Sequence, residues 1–357
     1  MEELKLNETP VRTSRNFNIN NIKLNDIEIP ENIGKFENVV ITGETSKIKI
    51  EPHTNTPQLT YGVGTILENQ VKEKANKNIQ LTIDSKINKE IEIDFNFDAQ
   101  NIQLVENIEI IANEGSKSTV IIKYEEKENH NSYHSYHNGI INVHAKENAT
   151  LNIIILNLMG LNANHFMSIQ NNVESNAKVK YTMVEFGGKN AVTNYYTNLT
   201  GEKSENTLNT IYLGKENQLF DLNYIGELRG AKSNINIEVQ GALKDTAKKH
   251  FKGTIDFKKG CKKAQGNENE ACMLLSDTAK SLALPMLLCS EEDVEGNHST
   301  SSGKVGEKEI FYIMSRGFEL KEAMKLLVRA KFNNVIENIK NEDLKNQILE
   351  EIDKRLD

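Results

Sequence analysis

From about residue 100 the chain keeps returning to one short phrase. Ser118-Thr119-Val120-Ile121-Ile122 is the first clear instance. Asn148-Ala149-Thr150-Leu151, Asn176-Ala177-Lys178-Val179, Asn206-Thr207-Leu208 and Asn234-Ile235-Asn236 open the next four, at steps of 30, 28, 30 and 28 residues. Each unit is a small polar turn followed by an alternating or wholly apolar run. A unit of that size cannot bury its own apolar face, so successive units must stack and share one core. Strands of ~5 residues at this spacing leave no room for a long intervening helix. A β-helix or a stacked sandwich satisfies the pattern. Asn and Gly suit the corners because they tolerate left-handed backbone. Periodicity alone leaves solenoid and sandwich both open.

The flanks are different. Met1 to Glu51 is a mixed arm: Pro10 to Asn21 reads as extended, and Ile22, Leu24, Ile27 and Ile29 suit a short strand before Pro30. Strand patterns start at Val39-Val40-Ile41 and Ile48-Lys49-Ile50 and continue at Ile79–Ile83 and Ile91–Ile93. Leu67 to Asn78 is polar and helix-forming, a helix or a solvated loop. After Gly317 the apolar period becomes helical. Leu320, Met324, Leu327 and Val328 share one face, and Val335, Ile336 and Ile339 continue it. Leu344, Ile348, Ile352 and Leu356 follow at i, i+4 spacing, with Asn341 as N-cap. Most of this apolar surface should pack internally, and an exposed remainder would be a docking surface. The expected organisation is mostly β: an arm over 1–59, a β-core over 60–305 and a small helical domain over 306–357.

Composition excludes several functions. A net charge of −8 argues against nucleic acid or an anionic membrane as partner. No apolar run approaches the ~20 residues that span a bilayer. The charged start MEELKLNETP does not read as a signal peptide. Three cysteines without a CxxC pair fit a reducing cytoplasm. The chain holds no GxxxxGK[ST] loop, no GxGxxG turn and no GxSxG elbow. Its acidic residues lie mostly in turns rather than in the paired arrangement of a β-helix glycosidase. The expectation is a protein that is not an enzyme.

The joint between β and helical sequence carries the most specific signal. Leu284 to Phe318 runs from an apolar strand through the acidic turn Glu291-Glu292-Asp293. It then enters a small-residue segment holding His298 and ends in a short helix, Glu309 to Ser315, stopped by Gly317. Pro285-Met286-Leu287, Asp293-Val294, His298, Phe311-Tyr312 and Ser315-Arg316-Gly317, in this order, resemble the C-terminal signature of the SufB/SufD family. That family supplies scaffold subunits for iron–sulfur cluster assembly in the SUF system. The likeness extends more weakly back to about Asn113, and little of it precedes residue 60.

The resemblance implies a right-handed parallel β-helix with a C-terminal helical domain. It also implies a SufC-type ATPase partner and a dimer, through the β-helix end, with a SufB-type subunit or with itself. No cofactor is expected to be tightly bound by the chain alone; an iron–sulfur cluster would be held transiently at the subunit interface. His298, read as a loop residue, is the expected metal ligand, since SufD-type subunits present a functional His at the matching position. Gly296 stands where many of them have Cys, and Ser299 where SufB-type subunits have Glu. Ungapped matching puts Glu270 where SufB-type subunits carry a cluster-related Cys, with Cys272 two residues away. The chain therefore resembles the SufD-type partner. The alternatives are a homodimeric scaffold that builds the cluster itself, with His298 and Cys272 as ligands, and a β-helix carbohydrate enzyme. Of the other candidates, Cys289 reads as a core residue. Cys261, among four lysines, reads as an exposed turn residue whose thiolate those charges favour. His130, His134, His137 and His144 have metal-like spacings only if helical, and their turn and strand flanks argue against that.

Overall fold

The computed structural model describes residues 4–12, 19–24, 27–44, 48–52, 55–126 and 134–357. The arm contributes β1 (Leu4–Leu6) and β2 (Ile22–Leu24), paired antiparallel, then β3 (Val39–Thr42), β4 (Ile48–Glu51) and α1 (Thr65–Lys74). Sixteen strands follow. They begin with β5 (Lys77–Ile83), β6 (Ile91–Phe97), β7 (Gln103–Ala112), β8 (Lys117–Glu126), β9 (Tyr136–Ala145) and β10 (Thr150–Leu158). Next come β11 (Asn164–Val173), β12 (Lys178–Glu185), β13 (Asn190–Leu199), β14 (Glu205–Gly214) and β15 (Leu219–Leu228). The series closes with β16 (Asn234–Leu243), β17 (Lys248–Phe257), β18 (Ala264–Leu274), β19 (Lys280–Cys289) and β20 (Val294–Lys304). Three helices end the chain: α2 (Glu307–Ser315), α3 (Leu320–Ile336) and α4 (Glu342–Leu356).

Odd and even strands separate into two nine-stranded sheets, β20-β18-β16-β14-β12-β10-β8-β6-β3 and β19-β17-β15-β13-β11-β9-β7-β5-β4. From β5 and β6 onward every pairing is parallel, so each repeat is one turn of a β-solenoid of about eight turns. The solenoid reading of the repeat is the correct one. The two sheets face each other and bury one continuous core, from Phe36 and Ile79 at one end to Phe257 and Ala264 towards the other. Within it Tyr195, Tyr224 and Phe251 stack edge-on in successive layers, at centroid separations of 6.0 and 5.8 Å.

The corners explain how a period near thirty residues is kept. Asn148 and Asn176 adopt φ of 60° and 56°, as expected of corner asparagines. The next corners are turned by Lys203, Lys232 and Lys263, with φ of 56°, 57° and 60°. Each of Asn148, Asn176, Lys203 and Lys232 donates its N–H to the residue just before its counterpart in the next layer: Ser175, Glu202, Ala231 and Lys262. This backbone ladder repays the strain of a side chain in the left-handed region. Asn206 is instead a buried strand residue bonded to Tyr195, and Asn234 begins β16. The period was right and its phase slipped.

The outer faces are both covered. Leu344, Ile348, Ile352 and Leu356 of α4, with Val328, Phe332, Val335 and Ile336 of α3, close over Ile154, Leu156, Val184, Phe186 and Ile211 of the even sheet. The Asn341 side chain caps α4 by accepting from Leu344 N–H at 3.1 Å. The stretch from Leu67 resolves as helix only to Lys74, and β5 begins at Lys77. On the odd sheet, α1 and β1–β2 pack Leu6, Leu24, Leu67 and Val71 against Val105, Ile140 and Val192. Asn7 anchors the arm there, its amide reaching Asp221 Oδ1 at 2.6 Å while Lys252 Nζ donates to its carbonyl at 2.9 Å. At the start of the stack β3 and β4 add as antiparallel strands. At the other end β19 and β20 are the last strands of their sheets.

Candidate functional site

His298 is not in a loop. It sits in β20, paired with Glu268 of β18 in a parallel register that also matches Gly296 to Gly266 and Thr300 to Glu270. The run of Gly, Asn, Ser and Thr reads as a turn by composition, but it forms a strand because β18 offers it a ready edge. Side-chain ladders hold the register: Asn297 donates to Asn267 Oδ1 at 3.0 Å and Ser299 to Asn269 Oδ1 at 2.7 Å.

Alternation decides where His298 points. Glu268 is paired with Ile237 and Glu270 with Val239, and both partners are core residues. A Cβ on Gly296 would meet Leu287 and Phe257 of the opposite sheet at 3.0 Å. Positions 296, 298 and 300 therefore face the interior, at the last layer of an open-ended lumen. From the opposite sheet, Ser281, Ala283, Pro285, Leu287 and Cys289 hold the matching row, opposite Lys249 to Phe257. A cavity of about 600 Å³ opens here, lined by Phe257, Leu287, Cys289, Glu291, Glu292, Val294 and Gly296.

One layer down the interior is charged and buried. Lys249 Nζ lies 2.8 Å from Glu270 Oε1, with both side chains inaccessible, and also donates to Leu282 O at 3.2 Å. Tyr212, lying over Gly241, donates to the same Glu270 oxygen at 2.9 Å. Cys272 is beside them, and burial raises its thiol pKa against the lowering effect of Lys249. Glu268 is 2% exposed, and burial together with the Glu270 charge pushes its carboxyl up to about 8. Farther in, His137 Nδ1 lies 2.9 Å from His165 Nδ1 and His137 Nε2 lies 3.3 Å from Glu106 Oε1. Burial holds Glu106 up at about 8 and His137 down at about 3, so the contact joins neutral partners.

The structure separates several expected candidates. Cys289 is exposed rather than core, because no layer stacks above the last strand; its thiol donates to Glu291 O at 2.9 Å. Cys261 is fully buried, and its thiol is pushed up to about 11 by burial and then by Glu291. His137 and His144, seven residues apart on β9, face opposite sides; His134 lies before the strand and His130 outside the described residues. Among the described residues no group of three or more His, Cys, Asp or Glu could hold a metal. Lys249, Glu268, Glu106 and His165 were missed. The signal is faint: Lys249, Glu106 and His165 stand at strand positions whose neighbours two residues away are apolar, and Glu268, between Gly266 and Glu270, lacks even that.

A family model described as SUF system FeS cluster assembly, SufBD core domain, matches residues 95–331. The chain belongs to the SufBD family. The match covers the solenoid from late β6 to β20 and runs on through α2 into α3, so the SufBD core includes the open end and its helical exit. Curated relatives agree. An iron-sulfur cluster assembly protein SufD of Bacillus subtilis is 26% identical over 244 residues, covering 64% of this chain and 56% of the relative. SufD of Escherichia coli is 26% identical over 163 residues, covering 46% of this chain and 38% of the relative. An iron-sulfur cluster assembly SufBD family protein of Pyrococcus horikoshii is 27% identical over 209 residues, covering 58% and 46%. The chain thus spans about half the length of these SufBD relatives or less. Among the described residues no helix is long and apolar enough to cross a membrane.

Proposed function

We propose that this SufBD protein is a SufD-type, non-catalytic scaffold subunit for iron–sulfur cluster assembly. Its open solenoid end pairs with a SufB-type subunit, and its C-terminal helical region docks a SufC-type ATPase. The observation that carries the reading is the uncapped end itself. Among the described residues nothing pairs with the outer edges of β19 and β20, ten and eleven residues long, and β20 is exposed from Asn297 to Lys304. A long edge of this kind is a template for a further strand. His298 projects at that end, where an imidazole can donate a lone pair to iron shared with the partner. The cluster is cargo, held at the interface for transfer.

The site favours the SufD-type role over a self-sufficient homodimeric builder. Glu270 is engaged by Lys249 and Tyr212, and Cys272 is 4% exposed beside them. Glu270 has no thiol, and Cys272 offers no exposed one at the mouth. For the ATPase, α3 and α4 spend their apolar faces on the solenoid, whereas α2 buries nothing. Phe311, Tyr312 and Met314 are 73%, 60% and 43% exposed, with Phe318 and Leu320 beside them in sequence at 47% and 50%. A cluster of this size marks a partner surface.

The test is coexpression with the neighbouring genes and anaerobic purification of this chain. A second β-helix protein and an ATPase should copurify. Phe311→Ala with Tyr312→Ala should release the ATPase while keeping the β-helix partner. Purification of the chain alone, or undiminished ATPase binding by the double variant, would refute the corresponding assignment.

A further inference from the structure

The interior row that ends at His298 changes character abruptly. It runs Leu208, Ile237, Glu268, His298 through consecutive layers of the even sheet. The first two are core residues, and nothing in the packing of the third demands a charge. Burying a carboxyl group without a partner costs free energy that an Ile or Leu would not. Both oxygens of Glu268 are inaccessible and have no hydrogen-bond partner among the described residues. Glu270, two residues along, differs: Lys249 and Tyr212 satisfy its Oε1.

The space for this carboxylate is also particular. A Cβ at Gly253, across the lumen, would stand 2.3 Å from the Glu268 carboxyl carbon. Any other residue there would displace the group. Gly253 is paired with Pro285 in the last layer, just as Glu268 is paired with His298. An unpartnered carboxyl group therefore lies directly beneath an exposed imidazole, on the same inward row, at the mouth of the lumen.

We propose that Glu268 and His298 form a two-ligand half-site for a borderline divalent cation such as ferrous iron, completed by water or by the partner subunit's groups. One carboxylate oxygen and one imidazole nitrogen match the ligand preference of first-row divalent metals. Two ligands bind weakly in the free chain and tightly only when an interface adds more. This couples metal capture to assembly. The inference rests on the proposed role of His298 and adds Glu268 as the second ligand.

The experiment is anaerobic titration of the purified full chain with Co²⁺, followed by visible absorption and calorimetry. Wild type should take up one Co²⁺ per chain. Glu268→Gln and His298→Ala should each weaken binding at least tenfold. Gly253→Ala, which moves the carboxylate without removing a ligand, should also weaken it, and Cys289→Ser should not. If His298→Ala weakens binding and Glu268→Gln does not, the half-site is wrong and the reading of His298 survives. Absence of Co²⁺ uptake up to millimolar concentration, or loss of binding in Cys289→Ser alone, overturns the half-site. Thermal melts of each variant separate loss of ligand from loss of fold.

Discussion

At the scale of single residues, the lumen shows how burial overrides sequence neighbourhood. Four lysines flank Cys261 in the chain, yet its thiol is raised because the side chain turns into the core. Glu185 makes the same point in a testable form. It is fully buried, accepts from Thr193 and Asn157, and has its carboxyl pushed up to about 7 by burial in spite of those bonds. A carboxyl group whose folded pKa is raised favours folding at low pH. That advantage is lost as pH climbs from the unfolded value, near 4.5, through about 7. Glu185→Gln, which stays neutral, should match wild type near pH 4 and gain over it as pH rises, levelling above pH 7. The plateau is on the order of 3 kcal/mol at most. Thermal melts across this range check it, and a gap independent of pH would show that Glu185 is not neutral in the fold. None of these interior groups was legible beforehand. Inward and outward positions differ by one residue, and only the register with the neighbouring layers says which is which.

At the scale of elements, what was legible was what depends on local pattern. α4 was readable from Leu344, Ile348, Ile352 and Leu356, and its cap from Asn341. Asn341→Ala should cost about 1 kcal/mol, measured by denaturant unfolding. Ile348→Ala, which opens a hole between α4 and the even sheet, should cost about 2–5 kcal/mol. The corners were legible only in part. Asparagine marks Asn148 and Asn176, but backbone bonds to the next layer let Lys203, Lys232 and Lys263 take the same left-handed turn. Lys203 is exposed and its side chain adds only a surface charge near Glu202, so Lys203→Asn should raise stability by roughly 0.5–1 kcal/mol. A loss would mean that the lysine side chain is needed at that corner. β20 reads as a loop in sequence because its Gly, Ser and Thr content outweighs the one fact composition cannot carry, a free parallel edge beside it.

For the whole molecule, the asymmetry of the two ends is the central feature. The sheets are covered outside by the arm and the C-terminal helices, and inside by each other. At one end β3 and β4 add as antiparallel strands, whereas the end bearing His298 finishes on the parallel strands β19 and β20. Under the proposed function this end meets a partner and shares metal there, so His298 should matter to the assembly and not to the fold. The most direct measurement compares anaerobically purified complexes of wild type and His298→Ala, reading iron and acid-labile sulfide per complex beside melting temperature. The variant should assemble, melt within the ~0.5 kcal/mol typical of a surface change, and carry clearly less iron and sulfide. Full cluster loading by His298→Ala would contradict the account, as would a large fall in melting temperature.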